Sequence, residues 1–351
     1  MAHERRRDRT NLARVVGLAL AVGALWWTFR DSEPERVGAL LRRVGGAGLL
    51  MVLPQGLSLF AESFGWRLAF EQMGRRLPLW GLFRARLATE ALAQTLPMGV
   101  VFCESMKPAL LARTCGADLS TSLAGMAARK WLLVSSQSLY VGLFAILSLP
   151  VLKSISRAVL GADGLPAALA GAALLLLVLA VASYAVLAQG RVASRVHGFL
   201  VRLPWTWLRR RLEPFQGRFV HTDGQLKTFF AAAWSSPLPL LAFLAGWLLE
   251  AADTLLILYL LGVRLPWTTV GALEVSASFL RNVAFMVPAG LGVQDLSYLA
   301  FLRALNVSDA LNVAAAFLLL KRCKECFWAI TGYAILALEL RPQQKPVEQV
   351  C

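Results

Sequence analysis

The chain has 351 residues, 57% of them hydrophobic and only 16% charged, with a net charge of +15. Soluble globular chains sit near 45–50% apolar and about 25% charged, so the composition excludes an ordinary soluble domain and points to an all-α polytopic membrane protein. Basic residues in short cytoplasmic loops account for the charge; nucleic-acid binding is the rival reading, and it fits poorly because the aromatic residues lie in or beside apolar runs.

Residues 1–12 (MAHERRRDRTNL) are strongly basic and precede an apolar run at 13–28. No small-residue cleavage site follows, which favours a retained signal anchor with its N-terminus inside over a secretory signal peptide. Residues 31–45 are a short polar stretch, and a second span is expected over 47–70, carrying Glu62 and Arg67. Residues 77–112 are too polar for a lipid-facing helix. Arg86, Glu90 and Gln94 share one helical face, and Leu96-Pro97-Met98-Gly99, Glu104, Lys107 and Pro108 follow. The expectation is a re-entrant hairpin with its tip near 97–99.

A long helix over 119–149 carries Arg129-Lys130, and a plain apolar span covers 165–188. Segment 191–227 holds eight basic residues interleaved with Phe199, Trp205, Trp207 and Phe215. That pattern suits an interfacial segment binding anionic lipid headgroups, or simply a solvated loop with interface anchors. Further spans are expected over 230–261, with Glu250 and Asp253, and over 311–338, with Lys321-Arg322. The five cysteines form no framework, and the CxxC spacing of Cys323 and Cys326 has no second pair or nearby histidine, so neither a metal nor a cofactor is expected.

Between the last two spans, residues 274–301 read EVSASFLRNVAFMVPAGLGVQDLSYLAF. The run is apolar enough for a bilayer, yet it carries Glu274, Arg281, Asn282, Gln294 and Asp295, and Pro288, Gly290 and Gly292 break any continuous helix. Broken backbone at membrane depth survives only where protein or a water-filled cavity covers it, and charges there are functional candidates.

The two charged hairpins resemble one another. A shift of 191 residues puts Pro97 on Pro288, Gly99 on Gly290, Glu104 on Asp295, Asp118 on Asp309 and Lys130 on Lys321. A shift of 188 puts Glu62 on Glu250, Gly74 on Gly262, Arg76 on Arg264 and Leu77-Pro78 on Leu265-Pro266. The expected organisation is one integral membrane domain over 1–351, with repeat one at about 47–150, repeat two at about 230–338 and the basic interfacial segment at 191–227 between them. If the first hairpin were a full crossing, the basic segment would lie outside, against the positive-inside rule. Re-entrant hairpins put it in the cytoplasm and invert the second repeat relative to the first, as in many transporters. Six full spans plus two re-entrant hairpins follow, with both termini cytoplasmic.

At this point the segment SASFLRNVAFMVPAGLGVQDLSYL, followed by FLLLKRCKECFWAITGY, resembles the closing signature of the flippase-like integral membrane family. That family comprises the transmembrane region of lysylphosphatidylglycerol synthases and stand-alone relatives. The resemblance runs from about residue 13 to 338 and is most marked over 274–333. With Phe285, Val293-Gln294 and Lys321-Arg322 it is most similar to hopanoid-biosynthesis-associated members. Two departures are the Val100-Val101-Phe102-Cys103 run before Glu104, where relatives more often show glycines, and Asp295 in place of the commoner Glu. The resemblance implies translocation of a lipid or lipid-linked polar group, hopanoid or phospholipid, across a bacterial inner membrane. It also implies a chain without the soluble lysyltransferase domain, and therefore not itself that enzyme.

The residues expected to bind substrate are Arg281, Asn282, Gln294 and Asp295 in the second hairpin, Arg86, Glu90 and Glu104 in the first, and Lys130 and Lys321 beside them. Pro97, Gly99, Pro288, Gly290 and Gly292 shape the hairpin backbones. The structural alternatives are ion pairs that pin the hairpins, snorkelling of Lys130 and Lys321, and a purely structural Glu62 and Glu250. Two other functions stay open: an accessory subunit for lipid-biosynthesis partner proteins, and an intramembrane enzyme. Against the enzyme, the chain has no Ser–His–Asp set, and His3, His197 and His221 lie outside the spans.

Overall fold

The computed structural model describes residues 30–95, 99–202, 204–283 and 293–340, and these are helical apart from short connections. Pro34 at the first turn, Glu35 after it and Arg42-Arg43 in the last turn suit the ends of α1 (Pro34–Val44), which leads through a 3₁₀ turn into α2 (Val52–Gln72). Residues 31–45 are thus not merely a polar connection: Val37, Leu40, Leu41 and Val44 give α1 an apolar face that packs on the core. Then come α3 (Leu79–Thr95), α4 (Gly99–Cys115) and α5 (Leu119–Leu147), the last started by the Asp118 carboxylate, which accepts from the Thr121 amide at 3.0 Å. Pro150 opens a separate α6 (Leu149–Leu160), so the long helix expected over 119–149 ends two residues early.

Helix α7 (Gly164–Leu187) is followed by α8 (Val192–Arg202), α9 (Thr206–Leu212) and α10 (Gln216–Ala232), which make up the basic segment. Ser235-Ser236-Pro237 breaks the chain before α11 (Leu238–Leu260), so the span expected from residue 230 starts eight residues later. Finally come α12 (Trp267–Val283), α13 (Val293–Ala304) and α14 (Ala310–Leu340).

Among the described residues, four helical runs are long and apolar enough to cross a membrane: Pro34–Gln72, α5, α7 and α11. Helix α14 has the length, with 31 residues, but carries Lys321, Arg322, Lys324 and Glu325 at its middle. The run expected at 13–28 lies outside the described residues, as do Pro97, Pro288, Gly290 and Gly292. Within the described residues, α3, α4 and α12 have 17 residues each and α13 has 12.

Local geometry recurs at the shifts seen in the sequence. The amides of Gly74 and Arg75 donate to Glu71 and Phe70, and those of Gly262 and Val263 to Tyr259 and Leu258. These are paired Schellman turns, with the glycines at φ +75° and +87°. Downstream, Leu82 donates to the Pro78 carbonyl and Val270 to that of Pro266, both at 3.1 Å. Packing follows the same exchange: α3 lies on α4 and α14, while α12 lies on α13 and α5. Helices α2 and α11 cross each other, with the Ser58 hydroxyl donating to the Gly246 carbonyl at 3.0 Å. Ser58 and Gly246 are themselves related by the 188-residue shift, so segments matched by that shift meet there.

Candidate functional site

A polar cavity of about 100 Å³ sits at that crossing. Helix α2 contributes Gln55, Ser58 and Leu59; α3 contributes Arg86, Glu90 and Gln94; α11 contributes Glu250 and Asp253; α12 contributes Glu274; and α14 contributes Lys321, Lys324 and Glu325. Five carboxylates therefore face three cations, with both repeats represented. Charges at such depth are unfavourable by several kcal/mol unless paired, and the pairing here is extensive.

In repeat one, the Glu62 carboxylate accepts from Arg86 and from Arg129, each at 2.8 Å. Arg86 also donates to Glu90, which accepts from Gln94 at 2.9 Å. Arg129 lies 5.6 Å over the Trp66 ring, while the Trp66 indole donates to the Gly125 carbonyl at 2.8 Å. Three helices are tied at one carboxylate.

In repeat two the charges are spread out. Lys324 donates to Asp253, whose other oxygen, Oδ1, has no hydrogen-bond partner among the described residues. Glu274 accepts from Thr254 and from the Tyr298 hydroxyl, the latter at 2.8 Å, and lies 3.7 Å from the Lys321 ammonium. Lys321 and Gln294 both donate to the Tyr298 hydroxyl, Gln294 at 3.1 Å, and Lys321 sits 4.5 Å over the Tyr298 ring. Asp295 takes a two-pronged contact from Arg322 at 2.8 and 3.1 Å, and Arg322 reaches Glu325 at 2.6 Å.

Of the residues expected from sequence, Arg86, Glu90 and Lys321 line the cavity, and Gln294 reaches it through Tyr298. Asp295 is buried and held by Arg322, and does not line the cavity. Glu104 pairs instead with Lys107 at 2.7 Å and Lys130 at 2.6 Å, a cluster that does not line the cavity. Gly99 opens α4. Arg281 and Asn282 occupy the last turn of α12, and their side chains fall outside what the structure describes. Glu62 has the clamping role just described, whereas Glu250 lines the cavity.

The residues expected to bind substrate did not include Asp253, Lys324 or Glu325, and Glu274 stood only among the charges singled out in 274–301. One signal was available: Lys321, Lys324 and Glu325 stand at i, i+3 and i+4, one helical face, while Arg322 points elsewhere. Tyr298 carried no such signal, because its role depends on α12 and α14 closing around α13.

The family model for the lysylphosphatidylglycerol synthase TM region matches residues 14–319. No curated protein matches the chain. With most of its length covered and its helices disposed around a buried charged cavity, this chain is a membrane protein related to lipid handling, and it belongs to the lysylphosphatidylglycerol synthase transmembrane-region family.

Proposed function

We propose that this protein translocates a lipid, or a lipid-linked polar group, between the leaflets of a bacterial inner membrane, and that it is a transporter and not an enzyme. The observation that carries this reading is the cavity at the α2–α11 crossing: lined by charges from α3, α11, α12 and α14, set among apolar helices, and formed by both halves of the chain. A headgroup entering it exchanges water for fixed charges, while the tails remain in the surrounding hydrocarbon. Five carboxylates against three cations favour a headgroup bearing positive charge. Hopanoid lipids or phospholipids with such headgroups are the proposed cargo.

The repeated turns at Gly74 and Gly262 support a duplication, and the polar residues of 77–112 and 274–301 favour two re-entrant hairpins over full crossings. Six full spans, an inverted repeat and cytoplasmic termini complete the arrangement; the basic segment then faces the cytoplasm.

The test is a headgroup-labelled lipid panel in liposomes containing the purified full-length chain. Lys321→Gln and Glu274→Gln each remove a buried hydrogen-bonded charge, a loss of about 2–5 kcal/mol at a binding site, so lipid movement should fall at least tenfold. No movement of any lipid by the wild-type chain would overturn the proposal.

A further inference from the structure

A second cavity, of about 310 Å³, shares no lining residue with the first and is almost wholly apolar. Trp131 and Leu139 of α5, Leu177 and Tyr184 of α7, Phe229 of α10 and Leu240 of α11 form its walls. Tyr184 packs edge-on against Phe230 and Trp234, with ring centres 5.3 and 5.9 Å away. The pocket opens sideways: Leu139, Leu177 and Trp234 at its mouth are all exposed on the helical bundle. In a bilayer that mouth meets hydrocarbon, and only a chain that is itself apolar fills such a space without stranding polar groups.

One end of the pocket meets the basic segment. Residues 191–227 carry eight cations against two carboxylates, Glu213 and Asp223. Both acids are engaged, Glu213 by Arg209 and Asp223 by the Ala193 and Ser194 amides at the start of α8. Lys227 is exposed two residues before the wall residue Phe229, and it packs over Gly190, where α7 has just given Tyr184 to the wall. Arg191 follows Gly190 and is exposed as well. Lys227 thus stands two residues from the wall residue Phe229, and Arg191 seven residues beyond the wall residue Tyr184, so both cations lie toward the same end of the pocket.

We infer that this is a binding site for an anionic phospholipid, with one acyl chain in the α5–α7–α10–α11 pocket and the phosphate held by Lys227 and Arg191. The site is separate from the charged cavity and does not depend on the translocation reading.

Native mass spectrometry of the full-length protein tests it, with phosphatidic acid offered against phosphatidylcholine of the same acyl chains. The wild-type chain should retain phosphatidic acid several-fold over phosphatidylcholine. Lys227→Gln with Arg191→Gln should cut phosphatidic acid retention roughly 10- to 30-fold, the loss expected of two cations at a membrane surface, and leave phosphatidylcholine unchanged. Ala233→Phe, which adds bulk at the wall, should abolish retention of both; if that variant fails to fold, Val181→Trp at the exposed mouth gives the same readout. Equal retention of the two lipids by the wild-type chain would overturn the inference. So would full phosphatidic acid retention in a folded plugged variant.

Discussion

The two halves of this protein hold their buried charges in different ways. In the first, Glu62 is the single point where Arg86 of α3 and Arg129 of α5 converge on α2. In the second, three separate pairings link the helices: Asp253 with Lys324, Glu274 with Lys321 and Tyr298, and Asp295 with Arg322. The 188-residue shift places Arg86 on Glu274, so equivalent positions carry opposite charges into the same cavity. A shared backbone plan thus supports a clamp on one side and a set of individually exchangeable contacts on the other. The clamp is expected to act as the frame, and the second half as the part that re-pairs around a passing headgroup.

The comparison breaks most visibly at Arg86. Arg86→Met leaves Glu62 with Arg129 alone and Glu90 with only Gln94. Removing one partner of a buried ion pair costs about 3–5 kcal/mol, so the melting temperature in detergent should fall by several degrees. A wild-type melting profile in this variant would mean that the clamp has no structural weight.

Lys324→Met probes the other half. Asp253 loses its partner, but one pairing is broken where Arg86→Met breaks two, so a smaller stability loss of about 1–3 kcal/mol is expected. Lipid movement should nonetheless fall at least tenfold in this variant while the fold persists. Equal destabilisation by the Arg86 and Lys324 changes would erase the distinction between frame and exchangeable half.

The smallest effect sharpens the comparison at the helix starts. Asp118 caps α5 through the Thr121 amide, whereas its counterpart Asp309 has φ +57° and accepts from the Asn312 side chain at 2.7 Å. Asp118→Ala should lose about 1 kcal/mol, and Asp309→Gly should stay within about 0.5 kcal/mol of wild type, because glycine adopts positive φ freely. Burial works to raise the Asp118 pKa, but the bonds from Thr121 and Ser120 outweigh it and hold the carboxyl down at about 2. The unfolded value is near 3.9, so the cap's contribution is complete above roughly pH 5 and disappears as the pH falls through about 2. Melting curves of the wild-type and Asp118→Ala chains should therefore converge in acid.

Much of this was legible in the sequence, for identifiable reasons. Charges in apolar runs are rare enough that Arg86, Glu90 and Lys321 stood out, and all three line the cavity. The breaks expected at Pro97 and Pro288 fall outside the described residues. The amphipathic α1 was also written there, in Val37, Leu40, Leu41 and Val44, but the polar residues around them hid it. Partner choice was not legible. Glu104 reaches Lys130, and Asp295 reaches Arg322, because of how α4 packs on α5 and α13 on α14; the Glu104–Lys107 pair alone is local, at i, i+3. A sequence pattern gives the face of a helix but not its neighbour.

The most direct measurement is the accessibility of the cavity itself. Ser58→Cys, in a chain whose five native cysteines are replaced by alanine, puts one thiol at the α2–α11 crossing. In sealed vesicles, a membrane-impermeant maleimide applied from either side should label it, more slowly when translocated lipid is present. Labelling from neither side, in protein that remains folded, would contradict a translocation path through this cavity.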